Sequence, residues 1–136
     1  MPKLDDCSWH SDADNFPADL PAENGGTHLG MFAAWAIHRG LWTEDPDWAE
    51  DLERVRRREM TGRDFLMENT DGKFDSDDFT EKGKAFVEEY YDKHYLADYD
   101  EAVGEGLSSL YEVEDSWENY ERVAQAIDKR WTIWTR

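Results

Sequence analysis

Cysteine, basic residues and long hydrophobic runs are all scarce in this chain of 136 residues. The single cysteine, Cys7, excludes an internal disulfide and is typical of a reducing compartment. The chain has 15 lysines and arginines against 33 aspartates and glutamates, which gives a formal net charge of -18. So few cations argue against binding to a nucleic-acid backbone or to an anionic membrane surface.

The sequence also predicts neither a targeting segment nor a membrane anchor. No apolar run approaches the roughly 20 residues of a membrane-spanning helix. The first six residues lack the basic and then apolar regions of a secretory signal. We therefore expect a cytoplasmic protein that binds neither membrane nor nucleic acid, and the sequence leaves the oligomeric state open. The excess of negative charge favours a basic protein or a cationic ligand as the partner.

Aromatic residues, in contrast, are abundant, with 7 Trp, 6 Tyr and 6 Phe. Without them, so acidic a chain would be expected to be disordered, because it could not bury enough apolar surface to offset the entropy of folding. Each large ring removes roughly 150–250 Å² from water when it is buried. We therefore predict one folded domain over residues 1–136.

The spacing of apolar residues predicts an all-α, or mainly α, fold: a compact bundle of about four to six helices. A segment from about 27 to 39 is apolar on every side, which is typical of a buried central helix. The helical body is predicted to extend over 27–136, and its other long helices are expected near 45–59, 80–95 and 116–134.

Residues 1–26 predict an irregular N-terminal arm, because prolines and the Gly25-Gly26 pair forbid a long helix. Trp9 and Phe16 are spaced along this arm like anchors that dock it on the helical body. Residues 70–78 predict a loop between two helices. A further short helix is expected around 97–103.

His10 and His28 are the candidates for a ligand site. His28 lies in the first turn of the predicted central helix, and His10 lies on an arm that can fold back over that helix start. A region of Trp9, His10, Thr27 and His28, with Asp5, Asp6 and Asp12 beside it, could bind a metal or a small ligand. The alternative is that both rings hydrogen-bond the backbone and pin the arm. Neither HExxH nor paired CxxC spacing occurs, so motifs predict no metal and no cofactor and leave any catalytic residue unknown.

Two dense acidic segments offer a different kind of site, namely a contact surface for a basic protein. Repulsion among so many negative charges destabilises the folded state. The same charges would speed association with a positively charged partner, which explains why they could be retained. The alternative is that the acids only maintain solubility. The candidate partner-binding residues are Asp71, Asp75, Asp77, Asp78, Glu81, Glu112, Glu114 and Asp115.

Five short motifs are spread over nearly the whole chain: WH at 9–10, FPxxLP at 16–21, THxGMFxxW at 27–35, MTGRDFL at 60–66 and LYxVEDxW at 110–117. Together they resemble a family of small acidic bacterial proteins that is described only as a domain of unknown function. The resemblance implies a bacterial, cytoplasmic, stand-alone domain. It implies no activity and supplies no catalytic residue.

The leading functional prediction is an acidic protein-binding inhibitor. By analogy with other small stand-alone bacterial domains, we expect an immunity protein that neutralises a cognate toxin by occluding a basic cleft. The second prediction is a small-molecule or metal-binding protein, with an enzyme as one form of it, that uses Trp9, His10, Thr27 and His28. A third is mimicry of nucleic-acid charge. Binding is favoured over catalysis, because no motif assigns a nucleophile with its base.

Overall fold

A computed structural model describes residues 3–14 and 16–135 and confirms the mainly helical fold. Met1, Pro2, Asn15 and Arg136, which the predicted arm and body include, lie outside the described residues. Within those residues, no helix is long and apolar enough to cross a membrane. The elements in chain order are β1 (Lys3–Asp6), α1 (Cys7–Ser11), α2 (Thr27–His38), α3 (Ala49–Arg56), α4 (Gly62–Asn69), β2 (Lys73–Asp75), α5 (Glu81–Tyr90), α6 (Leu96–Tyr99) and α7 (Trp117–Trp134).

The buried centre of the fold is α2, in agreement with its composition. Every residue from Thr27 to Ile37 is buried. The ring of Trp35 lies 5.5 Å from that of Phe86 in α5 and 5.8 Å from that of Trp131 in α7, measured between ring centroids. The core is therefore built from aromatic contacts between α2 and the helices around it.

Helices α2 and α4 approach so closely that their contact accepts no side chain. A Cβ atom on Gly62 would lie 1.8 Å from the carbonyl oxygen of Gly30, and one on Gly30 would lie 2.2 Å from the backbone nitrogen of Arg63. Both obstacles are backbone atoms, which cannot rotate away as a flexible side chain can. Glycine at these two positions fixes the distance between the helices.

Two of the long predicted helices differ from the structure at their boundaries. The helix expected at 45–59 is α3, preceded by a 3-10 turn at Pro46–Trp48. It ends early because Arg58 adopts a φ of 61°, in the left-handed region where a right-handed helix cannot continue. The helix expected at 116–134 is α7, which Ser116 caps by accepting a hydrogen bond from the backbone N–H of Asn119.

The helix expected at 80–95 is part of a longer helical stretch. A π-helical segment, Tyr91–Tyr95, joins α5 to α6, and a second one, Asp100–Gly104, follows α6. The separate short helix expected around 97–103 is thus continuous with α5. Such wide turns are rare and are frequently found at functional sites.

The N-terminal arm contains regular structure that its proline and glycine content does not predict. β1 pairs with β2 in antiparallel orientation, with Asp6 opposite Lys73, so part of the segment expected to be a loop is a strand. Trp9 is not a buried anchor, since 51% of it is exposed. Phe16 does contact the rest of the chain, and its ring lies 4.9 Å from that of Tyr111.

We predict that Gly62→Ala destabilises the fold, although alanine normally favours a helix. The new methyl group would collide with the Gly30 carbonyl, and overpacking of this kind typically costs about 1–3 kcal/mol. Gly104→Ala is the matched control, because its nearest neighbours are the ends of the Asp100 and Leu110 side chains. Thermal and urea unfolding of the three proteins would measure the effect, and an equal loss in both variants would contradict the assigned helix contact.

Candidate metal centre

The side chain of Asp5 is buried and surrounded by four hydrogen-bonding groups. Its Oδ1 accepts a hydrogen bond from the backbone N–H of Asp6 at 2.8 Å and lies 2.7 Å from Nε2 of His10. Its Oδ2 accepts from the hydroxyl of Tyr91 at 2.6 Å and lies 3.2 Å from Nε2 of His28. Because a carboxylate offers about four acceptor positions, all of those of Asp5 are in use.

Three elements place Asp5 and the two histidines, and local sequence explains two of the placements. Asp5 lies in β1, next to Asp6, whose side chain caps α1 by accepting a hydrogen bond from the backbone N–H of Ser8 at 2.9 Å. This cap starts the short helix that carries His10. His28 comes from the first turn of α2. The cluster therefore joins the N-terminal arm to the central helix.

The two imidazole rings face one another edge to face. Their centroids are 4.3 Å apart at an interplanar angle of 88°, and the two Nε2 atoms are 3.2 Å apart. Since a carboxylate only accepts hydrogen bonds, both Nε2 atoms carry a proton when they donate to Asp5. In a neutral His10 ring, Nδ1 then accepts from the hydroxyl of Tyr111, which lies 2.8 Å away.

Two tyrosines of the first π-helical segment support the cluster from the opposite side. Tyr91 donates its hydroxyl proton to Asp5, and Tyr95 donates its own to the backbone carbonyl of His28 at 2.6 Å. The wide turn thus contacts both the arm and α2. Sequence analysis did not find these two residues, because their spacing shows only that they share a helix face.

Burial and hydrogen bonding determine the protonation states of the cluster. Burial alone would raise the pKa of Asp5, but the hydrogen bonds from His10 and His28, the interaction with His28 and the Tyr91 hydroxyl together hold it well below its ordinary value. Burial lowers the pKa of His28, and the nearby carboxylate offsets only part of that effect. An ionised carboxylate therefore lies beside a neutral imidazole at neutral pH, and these are the forms that bind metal ions.

Among the described residues, Asp5, His10 and His28 form the one group of three or more potential metal ligands whose atoms converge. Their ligand atoms all lie within 4.8 Å of one another. His28 is 3% exposed, whereas the side chain of His10 is 17% exposed. The cluster is thus closest to solvent on the side of His10.

Of the four residues predicted for this region, the structure brings His10 and His28 into contact. The hydroxyl of Thr27 instead accepts a hydrogen bond from Nη1 of Arg63 at 3.1 Å. Trp9 directly precedes His10 in the chain and is half exposed. The carboxylate that completes the cluster belongs to Asp5, which sequence analysis placed nearby without assigning it a role.

The acids predicted to contact a partner divide into two groups. Asp71, Glu81 and Glu114 are exposed. The others interact within the chain. Asp75 and Asp78 cap the 3-10 turn Ser76–Asp78 from both sides, and Asp77 pairs with Lys84 at 2.9 Å. Glu112 accepts a hydrogen bond from the backbone N–H of Ser108, and Asp115 lies 3.3 Å from Nε of Arg63. A partner surface in these segments stays a prediction.

The fold and this cluster define a small, mainly helical domain with a histidine–aspartate site where its N-terminal arm meets its central helix. The chain belongs to the family described as domain of unknown function DUF7832, whose sequence model matches residues 3–113. The matched range contains the whole cluster and ends before α7. No curated protein and no solved structure matches the chain. The resemblance to a domain of unknown function is thus confirmed, while a bacterial origin stays a prediction.

We predict that Asp5→Asn destabilises the metal-free protein. The amide cannot accept all four hydrogen bonds, and each buried donor left without a partner costs about 1–3 kcal/mol. Asp19→Asn is the matched control, because Asp19 lies on the same arm and is exposed. Urea unfolding in the presence of a chelator would measure the difference, and equal midpoints for the two variants would show that the carboxylate does not hold the arm.

Proposed function

We propose that this domain binds one divalent transition-metal ion through Asp5, His10 and His28. The observation that supports the proposal is the convergence of two imidazole nitrogens and a carboxylate on one point. Without a cation, three Lewis bases at such short range are held together only by the protons between them. A metal ion would replace those protons and neutralise the buried carboxylate.

The distances between the ligand atoms suit a single ion. Nitrogen and oxygen ligands lie about 2.0–2.2 Å from zinc, so neighbouring ligands in tetrahedral or octahedral sites are about 2.8–3.6 Å apart. The separations here are 2.7 Å between Oδ1 of Asp5 and Nε2 of His10, 3.2 Å between Oδ2 of Asp5 and Nε2 of His28, and 3.2 Å between the two Nε2 atoms. Each imidazole nitrogen thus lies next to a different oxygen of the carboxylate, so an ion between the two rings would draw on both oxygens of Asp5.

The surrounding hydrogen bonds also favour a metal site. A ligating histidine usually uses its other ring nitrogen to contact a polar group that fixes its orientation. His10 has such a partner in the hydroxyl of Tyr111, which can donate to Nδ1 in the metal-free form and accept from it in the metal-bound form. Tyr91 holds the carboxylate of Asp5 in the same way.

The donor set narrows the choice of metal and of chemistry. Two imidazoles and one carboxylate suit zinc, iron(II), cobalt(II) or nickel(II) better than the hard ions calcium and magnesium. Three protein ligands, rather than four, are typical of catalytic sites, in which a water or a substrate takes the open position. A hydrolytic or oxygen-dependent activity would use that position.

Metal binding would also fasten the N-terminal arm to the body of the domain. Asp5 and His10 lie on the arm, whereas His28 lies on α2. An ion held by all three would bind the docked arm and not the detached one, so it would stabilise the folded protein by mass action.

We predict that the chelator-treated protein binds one equivalent of Zn²⁺ or Co²⁺ and melts at a higher temperature when it does. His10→Gln should weaken metal binding by at least about tenfold, since it removes one of three ligands. Isothermal titration calorimetry would give the affinity, and the visible absorption of bound Co²⁺ would report the coordination. His10 is suited to this test because its side chain is the most exposed of the three ligands.

His94→Gln is the control variant, because His94 is exposed and lies outside the cluster. Mg²⁺ is the control ion, and circular dichroism would verify that each variant is folded. The proposal is wrong if the wild-type protein binds neither Zn²⁺ nor Co²⁺, or if His10→Gln and His94→Gln bind them equally well.

A protein-binding inhibitor is the second proposal, and the net charge of -18 is the observation that favours it. Asp71, Glu81 and Glu114 are the acids that a basic partner could reach without breaking contacts inside the chain. This proposal does not require the metal site, so the two can be tested separately.

We predict that changing Asp71, Glu81 and Glu114 to Lys together slows association with a basic partner captured from the native host. Loss of opposite charge at a contact surface acts mainly on the association rate and on its salt dependence. Surface plasmon resonance would compare this triple variant with His10→Gln, which should associate like the wild type. Unchanged rates for the triple variant would remove these acids from the contact surface.

A further inference from the structure

A second cleft shares no residue with the histidine–aspartate cluster. The C-terminal ends of α2 and α3 and one face of α7 form its walls, and its cavity volume is about 330 Å³. That volume is at the lower end of the range of about 300–1,000 Å³ for small-molecule sites. The cleft can therefore hold a small metabolite.

Arginines are concentrated in this cleft. Arg39, Arg56 and Arg58 line it, which are three of the nine arginines in a chain whose net charge is -18. Two carboxylates, those of Glu121 and Asp128, line it as well. Cationic groups therefore outnumber anionic ones among the lining residues, although Arg56 also pairs with Glu44 and Glu53 just outside the lining.

Arg58 has a backbone conformation that arginine rarely adopts. It directly follows the residue that caps α3, at the position where a helix commonly ends in glycine, and its φ is 61°. A residue with a Cβ atom costs roughly 1–2 kcal/mol there relative to glycine. Strain of this kind concentrates at functional sites, so the use of arginine here points to a role for its side chain.

Aromatic rings hold two of the guanidinium groups in place. That of Arg58 lies 5.1 Å from the ring centroid of Trp117 and 5.8 Å from that of Tyr120. That of Arg39 lies 5.9 Å from the ring of Trp35. Such contacts reduce the side-chain entropy that a ligand would otherwise have to remove.

The ion pairs of these arginines leave hydrogen-bond donors for a ligand. Arg58 contacts Glu121 through Nη2, and among the described residues its Nε and Nη1 donate to none. Arg39 contacts Asp128 through Nε and Nη2. Both pairs are about two-fifths exposed, and solvent-exposed pairs contribute only about 0–1 kcal/mol, so a stronger acceptor can replace the carboxylate.

The floor of the cleft is polar and has fixed hydrogen bonds. His38 donates from Nε2 to the backbone carbonyl of Val55 at 3.0 Å, so its Nδ1 accepts from the hydroxyl of Tyr120 at 2.7 Å. Burial lowers the pKa of His38, which makes its ring neutral at neutral pH. The positive charge of the cleft therefore comes from the arginines.

We infer that this cleft binds a small phosphate monoester, with its phosphate oxygens on the guanidinium groups of Arg39, Arg56 and Arg58. Guanidinium groups match phosphate geometry through paired hydrogen bonds, and several around one group complement a dianion. The hydroxyl groups of such a ligand would find acceptors in Glu121 and Asp128. The negative surface beyond the cleft repels an extended polyanion more than a small ligand, which disfavours nucleic acid.

The test measures binding of inorganic phosphate and of glucose 6-phosphate at constant ionic strength, by NMR titration and by thermal unfolding. We expect saturable binding of both probes, tighter for the monoester, and a rise in melting temperature. Arg58→Asn should weaken binding about tenfold or more, because hydrogen bonds to charged groups are lost. Asparagine tolerates the left-handed conformation, so this variant should fold normally.

Arg54→Gln is the matched control, because Arg54 lies in α3, which ends just before Arg58, is paired with Asp51 and does not line the cleft. It should bind phosphate like the wild type. Absence of saturable binding at millimolar concentrations, or equal binding by Arg58→Asn and Arg54→Gln, would overturn the inference. Binding of inorganic phosphate without tighter binding of the monoester would also overturn it. A chelator in every sample keeps the outcome independent of the metal site.

Discussion

The hydrogen bonds to the Asp5 carboxylate are the interaction on which the placement of the N-terminal arm depends. They connect a strand, a short helix, the central helix and a π-helical segment at one buried point. A buried carboxylate is tolerated only where its acceptor positions are filled, and here every position is. The hydrogen bonds that hold these four elements together also bring three side chains to positions where they could bind one metal ion.

The aromatic core around α2 allows so acidic a chain to fold. Large rings from the surrounding helices pack against Phe32 and Trp35 of α2. The two glycines at the contact between α2 and α4 let the backbones of these helices approach closely. Many of the acids interact within the chain as helix caps or as partners of arginine and lysine, which reduces the repulsion among them. Packing and local pairing therefore both offset the net charge.

The two polar sites of the domain differ in the protonation chemistry that they offer. The histidine–aspartate cluster would offer nitrogen and oxygen lone pairs to a cation that displaces its hydrogen-bonded protons, and it lies almost wholly inside the fold. The arginine cleft presents N–H donors that suit an anion, and its ion pairs face solvent. The match to the DUF7832 family covers the first site completely, whereas α7, which forms one wall of the second, lies beyond the match.

The sequence by itself determined the helical class and the buried central helix, because periodicity and caps are local signals that act over a few turns. It offered a ligand site that includes His10 and His28 only as one of two alternatives. It also favoured a folded domain, since only packing explains so many aromatic rings. Only the tertiary structure decided that Asp5 and Tyr91 complete the cluster, that β1 pairs with β2, and that Arg39 and Arg58 meet across one cleft. Those contacts join residues far apart in the chain, and their geometry depends on how whole helices pack, which no local pattern encodes.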